Sequence, residues 1–393
     1  MLRRILIIFY CLLTPWISFA ATTDNLQFKS ASFAELPGWQ QANLTNSLNA
    51  FKTSCSKTLS LPSNTIVGTP VLPLTVANWQ GVCKAALKLH PVNQVAIRQF
   101  FEAWFNVYTV MNHHNPQGLF TGYYLPEFKG QLHYSSDYSV PIYARPSDLV
   151  TVKLGLFRLD LQGKKIAGRV IDGKLYPYSI TQQQIDNGAL VGKAKIIAWV
   201  AHRADRLVLQ VQGSGIILLS NGQQVLLGYD GDNGQPYYPI GRWFLQNHIF
   251  PKNSLSMLAI YQWLIVHPKQ GDVLIEQDPA FVFFTTLSGS APLGTENIPL
   301  TAGYSLAVDN NIIPLGSPLW LNTNVPNVSN TSHSVPLKRL FIAQDTGGAI
   351  YGGVRGDIYF GAGLQAATQA SSMKQPGRYW LLLPKNYQLN QNS

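Results

Sequence analysis

Apolar residues recur along this chain in two rhythms. In the first hundred or so residues the spacing is helical. Leu44, Leu48, Phe51 and Cys55 mark one face, Trp79, Cys83 and Leu87 a second, and Ile97, Phe101, Trp104, Tyr108 and Met111 a third. These stripes predict three amphipathic helices, with His113-His114 closing the third, where histidine suits the negative end of the helix dipole. Residues 21–38 read as extended chain. From Phe120 the rhythm changes to short aromatic and β-branched runs broken by Gly, Pro and Asn, at 120–125, 141–144, 281–284, 318–321, 340–345, 356–361 and 379–383. Such runs predict strands. Gln210 and Gln212 alternate with Leu209 and Val211 ahead of Gly213-Ser214-Gly215. That stretch reads as a strand presenting both amides on one sheet face, suited to sugar hydroxyls or equally to solvent. A short helix at 254–264 is stopped by Pro268.

The acidic residues are placed less predictably than the apolar ones. Residues 281–393 hold only Glu296, Asp309, Asp345 and Asp357, and the three aspartates directly abut apolar strand-like runs. Aspartate is a poor strand residue and costly to bury without partners. Turn chemistry accounts for any one of them. Three together point to a carboxylate site in a cleft.

Length and composition narrow the class. A chain of 393 residues exceeds one small core and fits two domains, one of them inserted in the other. Only 12% of residues are charged, and the net charge of +10 is scattered without a Lys/Arg run. Nucleic-acid binding is therefore not expected, whereas attraction to an anionic polymer or membrane surface remains allowed. Residues 1–20 read as a secretory signal: Arg3-Arg4, an apolar stretch from Ile5 to Leu13, and Ser18-Phe19-Ala20 at the cleavage site. The bulky Ile8-Phe9-Tyr10 before Cys11 is not a lipobox, so an outer-membrane lipid anchor is not expected, and no other run reaches spanning length. In an exported chain Cys55 and Cys83 read as one disulfide, with two buried free thiols as the alternative. Asp230-Gly231-Asp232-Asn233-Gly234 lacks the closing glutamate of a calcium loop, because Gly241 stands there. Gly361-Ala362-Gly363 has dinucleotide-loop spacing without the flanking strand–helix alternation and reads as structural.

Several motifs, in order, resemble one known family. They are Phe120-Thr-Gly-Tyr-Tyr124, Leu209-Gln-Val-Gln-Gly-Ser-Gly215, Asn233-Gly-Gln-Pro-Tyr237 with Ile240-Gly-Arg242, and Pro279-Ala-Phe-Val-Phe-Phe284. Ser305-Leu-Ala-Val-Asp309 with Ile313-Pro-Leu-Gly316 follows, then Asp345-Thr-Gly-Gly-Ala-Ile350 with Gly356-Asp-Ile-Tyr-Phe360. Together they resemble the membrane-bound lytic murein transglycosylase A family, over about residues 39–385. The resemblance implies a mainly β protein with a few N-terminal helices. A double-psi β-barrel would be built from 21–127 and 243–393, with a smaller β-barrel, 128–242, inserted between them and the glycan lying in the groove. It implies Asp357 as the catalytic acid, Asp345 and Asp309 as supporting aspartates, and Thr121, Tyr123, Tyr124, Gln210, Gln212, Gly213 and Ser214 along the groove. Asp278 stands where the family more often has Asn.

The implied activity is cleavage of the β-1,4 bond in peptidoglycan with closure of a 1,6-anhydromuramic acid ring, without metal or organic cofactor. An intramolecular hydroxyl nucleophile has a high effective molarity, so one carboxyl can act as acid and then base. The expected protein is an exported, periplasmic monomer at the cell wall, with glycan strands and other cell-wall enzymes as partners. Two rivals stay open at this point: a non-catalytic, expansin-like binding module, and a hydrolase using Asp345 and Asp357 as a pair.

Overall fold

The computed structural model describes residues 26–389 except 91–92, 159–160, 162–163, 252–254, 290 and 331–332. The expected leader, 1–20, and Cys11 lie outside the described residues. Strand β1 (Leu26–Ala31) leads through two single-turn 3-10 segments into helices α1 (Thr45–Leu59), α2 (Val76–Lys88) and α3 (Gln94–Trp104). Leu48, Phe51 and Cys55 of α1 are buried, as are Trp79, Val82 and Cys83 of α2, and Cys55 and Cys83 form a disulfide. Leu87 is exposed, because the buried face of α2 runs through Val76, Val82 and Ala86 instead. The third stripe does not stay helical. Helix α3 ends at Trp104, and β2 (Phe105–Asn112) carries Tyr108 and Met111. This run is aromatic and β-branched, and Phe105 and Val107 alternate into the core, which favours a pleated strand over continued helix. His113 and His114, at φ 49° and 60°, make the tight turn into β3 (Gly118–Leu125) rather than a helix end.

After Pro126 the chain enters a second body. Its six-stranded sheet contains β4 (Glu127–Gln131) and β5 (Val140–Tyr143); a separate antiparallel sheet is formed by β6 (Val150–Lys153), β7 (Lys165–Ile171) and β8 (Lys174–Pro177). Helix α4 (Gln182–Asp186) and strand β9 (Ile196–Val200) precede α5 (Arg203–Gln212), which overturns the strand expected through Gln210 and Gln212. Leu209 enters the core of the six-stranded sheet, while Ala204 and Leu207 pack against Phe244, Ile260 and Leu264. Apolar neighbours on both sides hide the helical period, so the segment imitates an alternating strand. The helix starts with Asp205 Oδ2 accepting from the His202 amide at 3.0 Å, and ends at Gly213, whose φ of 72° suits a left-handed cap. Strands β10 (Ser214–Leu219) and β11 (Gln224–Asp232) follow, then α6 (Gly241–Gln246), α7 (Met257–Val266) and α8 (Pro268–Ile275). Pro268 opens α8 at the first helical position, where a missing amide costs nothing. Strand β12 (Val282–Leu287) then pairs with β11, giving the order β12-β11-β10-β4-β9-β5.

The remaining strands return to β3. They are β13 (Ser305–Ala307), β14 (Pro318–Pro326), β15 (Ser334–Asp345), β16 (Arg355–Ala362) and, after α9 (Gly363–Ser372), β17 (Lys374–Pro384). The order β17-β14-β15-β13-β16-β3 closes on itself because β17 also pairs with β3. A six-stranded barrel results, with β2 and β1 added outside β17. Leu306, Leu319, Phe341, Ile342 and Leu381 fill its core together with Phe51, Trp79 and Phe101 of the helices, and Trp39 meets Trp320 edge-on at 5.2 Å. The chain is thus mainly β, but its helices are not confined to the N-terminus: α4–α8 accompany the second body and α9 the barrel. Leu125, Ile216, Leu226, Leu300 and Tyr359 form a small apolar cluster joining the two bodies.

The disulfide closes a loop with a sequence separation of 28. Replacing both cysteines by alanine should lower unfolding stability by about 3 kcal/mol through the freed chain entropy. Urea denaturation of the variant against the oxidised parent measures this, and equal midpoints would contradict it.

Candidate active site

The barrel places its acids by strand register. Ala307 of β13 pairs with Asp345 on its parallel neighbour β15 and with Asp357 on its antiparallel neighbour β16. Asp357 pairs in turn with Thr121 of β3, and Thr121 with Lys374 of β17. A register shift between Leu306 and Ala307 brings Asp345, rather than Gln344, opposite Ala307. With strands about 4.8 Å apart, the α-carbons of the two aspartates stand about 10 Å from each other. Phe120, Leu306 and Ile358, one residue away along their strands, point into the barrel core. The carboxylates therefore share the other face, with Tyr123 and Tyr359 two residues along and their rings 5.3 Å apart.

The two acids have different surroundings. Asp345 Oδ1 accepts from the Thr295 amide (2.9 Å), the Thr295 hydroxyl (3.0 Å) and the Thr346 amide (2.9 Å), and Oδ2 accepts from the Tyr123 hydroxyl (2.8 Å). Burial pushes the Asp345 pKa up, and these four donors oppose that shift. Both oxygens are engaged as acceptors. Asp357 accepts from the Thr121 hydroxyl through Oδ1 at 2.5 Å, and among the described residues no protein group bonds its Oδ2. Burial pushes the Asp357 pKa up to about 6, against the lowering effects of the Thr121 hydrogen bond and the nearby Arg355 charge; Asp345 adds to the rise. Arg355 donates through Nη2 to Thr121 Oγ1 at 2.8 Å, which fixes the hydroxyl so that its own proton faces Asp357. A carboxyl of this kind can be protonated near neutral pH and still present one free oxygen.

The other expected residues fall into two groups. Tyr124 and Gln212 come together, the Tyr124 amide donating to Gln212 Oε1 at 3.0 Å, so the end of α5 is tied to β3. Gly213 and Ser214 continue from that helix end, and a Cβ on Gly213 would meet nothing within 4 Å. Gln210 is not on the same face as Gln212. Two residues on a helix lie about 200° apart around the axis, and the Gln210 side-chain nitrogen is buried without a hydrogen-bond partner. Asp309 is buried, and its carboxylate is engaged with a loop rather than with the pair. Its Oδ2 accepts from the Gly352 amide (2.8 Å) and its Oδ1 from Asn311, fastening the loop between β15 and β16. Asp278 is likewise used internally, accepting from the Tyr238 and Ala280 amides. Among the described residues no group of three or more His, Cys, Asp or Glu could hold a metal ion.

Relatives share this arrangement of barrel and second body. The membrane-bound lytic murein transglycosylase A of Escherichia coli K12 is 31% identical over 290 residues, 73% of this chain and 70% of the relative. The chain belongs to the membrane-bound lytic murein transglycosylase A family. Residues 119–285 match the MltA specific insert domain and residues 304–383 the 3D domain. The Vibrio cholerae relative is 27% identical over 266 residues, 67% of this chain and 65% of that protein, so the match spans just under two thirds of its length. The crystal structure of a membrane-bound lytic murein transglycosylase from Agrobacterium tumefaciens superposes with a TM-score of 0.79 at 28% identity, covering 92% of this chain and 98% of that one. MltA from Neisseria gonorrhoeae, in its monoclinic form, gives a TM-score of 0.76 at 29% identity, covering 92% and 94%.

Three residues of this family member's site escaped the sequence reading: Thr295, Arg355 and Tyr359. Thr295 had no signal, since it lies in a loop 50 residues from Asp345. Arg355 and Tyr359 had one, because each sits two positions from Asp357 and so shares its strand face. The raised pKa of Asp357 also has a consequence for stability. The fold favours the protonated acid, so this contribution is complete below the unfolded carboxylate pKa and is lost as pH rises through about 6. Asp357→Asn, a neutral isostere, should be more stable than the parent by about 3 kcal/mol at pH 8 and no more stable at pH 3.5. Melting curves at the two pH values measure the difference; a variant less stable at pH 8 would contradict the burial argument.

Proposed function

We propose that this protein is a peptidoglycan lytic transglycosylase. It would cut the β-1,4 bond between N-acetylmuramic acid and N-acetylglucosamine and leave a 1,6-anhydromuramic acid end. The observation that carries this reading is the division between two acids on one sheet face. Asp357 is raised to about 6 with one oxygen open, whereas Asp345 has both oxygens occupied by donors. Asp357 gives its proton to the glycosidic oxygen as the C1–O bond breaks. The C6 hydroxyl of the same muramic acid attacks C1, and its proton passes to the Asp357 carboxylate, which restores the acid. Thr121, oriented by Arg355, holds Oδ1 and leaves Oδ2 for both transfers. Asp345 supports the end of β15 and Tyr123, and Asp309 the following loop. Tyr123, Tyr124, Gln212, Gly213 and Ser214 are assigned to the glycan groove; Gln210, facing away from Gln212, is not.

A paired-carboxylate hydrolase needs a second acid free to attack or to activate water, and the bonds to Asp345 leave it no such freedom. A binding module alone has no use for a raised, half-open carboxyl. The proposal includes two domains, with the return to the barrel after Leu287 rather than at 243, in keeping with the β11–β12 pairing. It also includes action as an exported monomer at the periplasmic cell wall, on glycan strands and alongside other cell-wall enzymes. No described helix is long and apolar enough to cross a membrane.

Product masses from purified sacculi test the reaction, because the anhydro end lacks the water that hydrolysis adds. Release of hydrated ends alone would overturn it. Asp357→Asn should lower activity by about 10²–10⁴-fold while sacculus binding persists. Asp345→Asn should lose less activity and more stability. The rate should fall as pH rises through about 6, where Asp357 gives up the proton it must donate. A flat pH profile from 5 to 8 would count against Asp357 as the acid.

A further inference from the structure

The sheet of β6, β7 and β8 has a surface that the proposed reaction does not use. Its ladders set Val150 opposite Gly168, Val152 opposite Ile166, Gly168 opposite Pro177 and Val170 opposite Leu175. Partners across a ladder project to the same face, and every second residue rejoins it. Val150, Val152, Ile166, Val170, Leu175 and Pro177 thus form one aliphatic surface, with the Leu175 side chain covering Gly168. The opposite face is covered in part: Ala167 packs beside Tyr178 and Phe281, and Lys165 bonds Asp232 at 2.7 Å, while Ile171 and Tyr176 at its far end are exposed. The aliphatic face is open, with Ile166 45%, Leu175 45% and Val170 58% exposed. Beyond the end of β6, Leu156 and Phe157 are 82% and 75% exposed.

Single exposed apolar residues are ordinary, but a contiguous aliphatic sheet face marks a contact surface. Its charge identifies the occupant. Residues 150–177 carry six lysines and arginines against two aspartates, a net of +4 in a chain whose total is +10. Lys164, just ahead of β7, is exposed on the aliphatic side by the strand alternation, whereas Lys153 and Lys174, opposite Lys165 and Ile171, are exposed at strand ends on the other side. We infer that this face docks on an anionic phospholipid surface, its aliphatic side chains entering the headgroup–acyl boundary while Lys164 and the net positive charge of the surrounding segment draw it to lipid phosphates. A glycan calls for aromatic plates or hydrogen-bond donors, and no strand side chain of this face supplies either. A second copy of the chain would set one basic margin against another across a twofold axis. The inference does not depend on the chemistry proposed for Asp357.

Sedimentation with vesicles tests it, using the chain from Ala21, the expected mature form. The parent should sediment with phosphatidylcholine–phosphatidylglycerol vesicles, more weakly with phosphatidylcholine alone, and less as salt is raised. Ile166→Thr/Val170→Thr, which keeps strand-compatible residues, should reduce vesicle affinity about tenfold through the lost apolar burial, with circular dichroism and melting unchanged. Leu156→Ser/Phe157→Ser, in the adjoining loop, should weaken it as well and serves if the strand variant misfolds. Failure of the parent to bind anionic vesicles at low salt overturns the inference. So does undiminished binding by folded variants, which would leave net charge as the whole effect. A concentration-dependent dimer lost in Ile166→Thr/Val170→Thr, without vesicle binding, would assign the face to a second copy instead.

Discussion

The site depends on a strand of three residues. Ser305–Ala307 is wholly buried and bonds in parallel to β15 on one side and antiparallel to β16 on the other. Without it the two aspartate-bearing strands would have no common register. Its position is fixed by a buried polar chain rather than by packing alone. The Ser305 hydroxyl donates to Gln344 Oε1 and accepts from the Thr301 amide, while Gln344 Nε2 donates to Ala50 O and Ser54 Oγ of α1. A satisfied network of this kind specifies one arrangement, because any other leaves buried donors unpaired. The N-terminal helices are therefore part of the site's foundation although they contribute no residue to it.

The same foundation contains another raised acid. Glu296 is pushed up to about 7 by burial, with the Ser54 hydroxyl donating to Oε2 at 2.7 Å and opposing the shift. It follows Thr295, which bonds Asp345, and its amide donates to Gln344 O at 3.2 Å. Glu296 thus anchors the loop that holds Asp345, one step behind the sheet face where the chemistry is proposed. The contrast among the three carboxyls is one of access. Asp345 is enclosed by donors, Glu296 is held against α1 through Oε2, and Asp357 keeps an oxygen open beside a hydroxyl that Arg355 orients.

The second body contributes by covering. The cluster of Leu125, Ile216, Leu226, Leu300 and Tyr359 closes the seam between the bodies beside Tyr123, and Tyr359 lies two residues from Asp357 on its strand face. The bond from the Tyr124 amide to Gln212 fixes the end of α5 against β3, the strand that also carries Thr121, the hydrogen-bond partner of Asp357.

The sequence by itself determined what local physics can decide. The stripes of α1 and α2 carry their own period and bring Cys55 and Cys83 to facing turns. The runs at 318–321, 340–345 and 379–383 are short apolar and aromatic stretches bounded by Gly, Pro, Asn or Asp, which read as strands, and the aspartates beside such runs gave reason to expect a carboxylate site. Tertiary structure decided the rest wherever two local answers were close. The stretch 203–212 is apolar on several sides because two cores flank it, and only those cores make it a helix and turn Gln210 away from Gln212. Phe105–Asn112 leaves the helical stripe because β1 and β17 stand ready to pair with it. Thr295, Arg355 and the openness of Asp357 depend on contacts across 50 to more than 230 residues, and no local pattern encodes which distant partner will fill or leave free an oxygen.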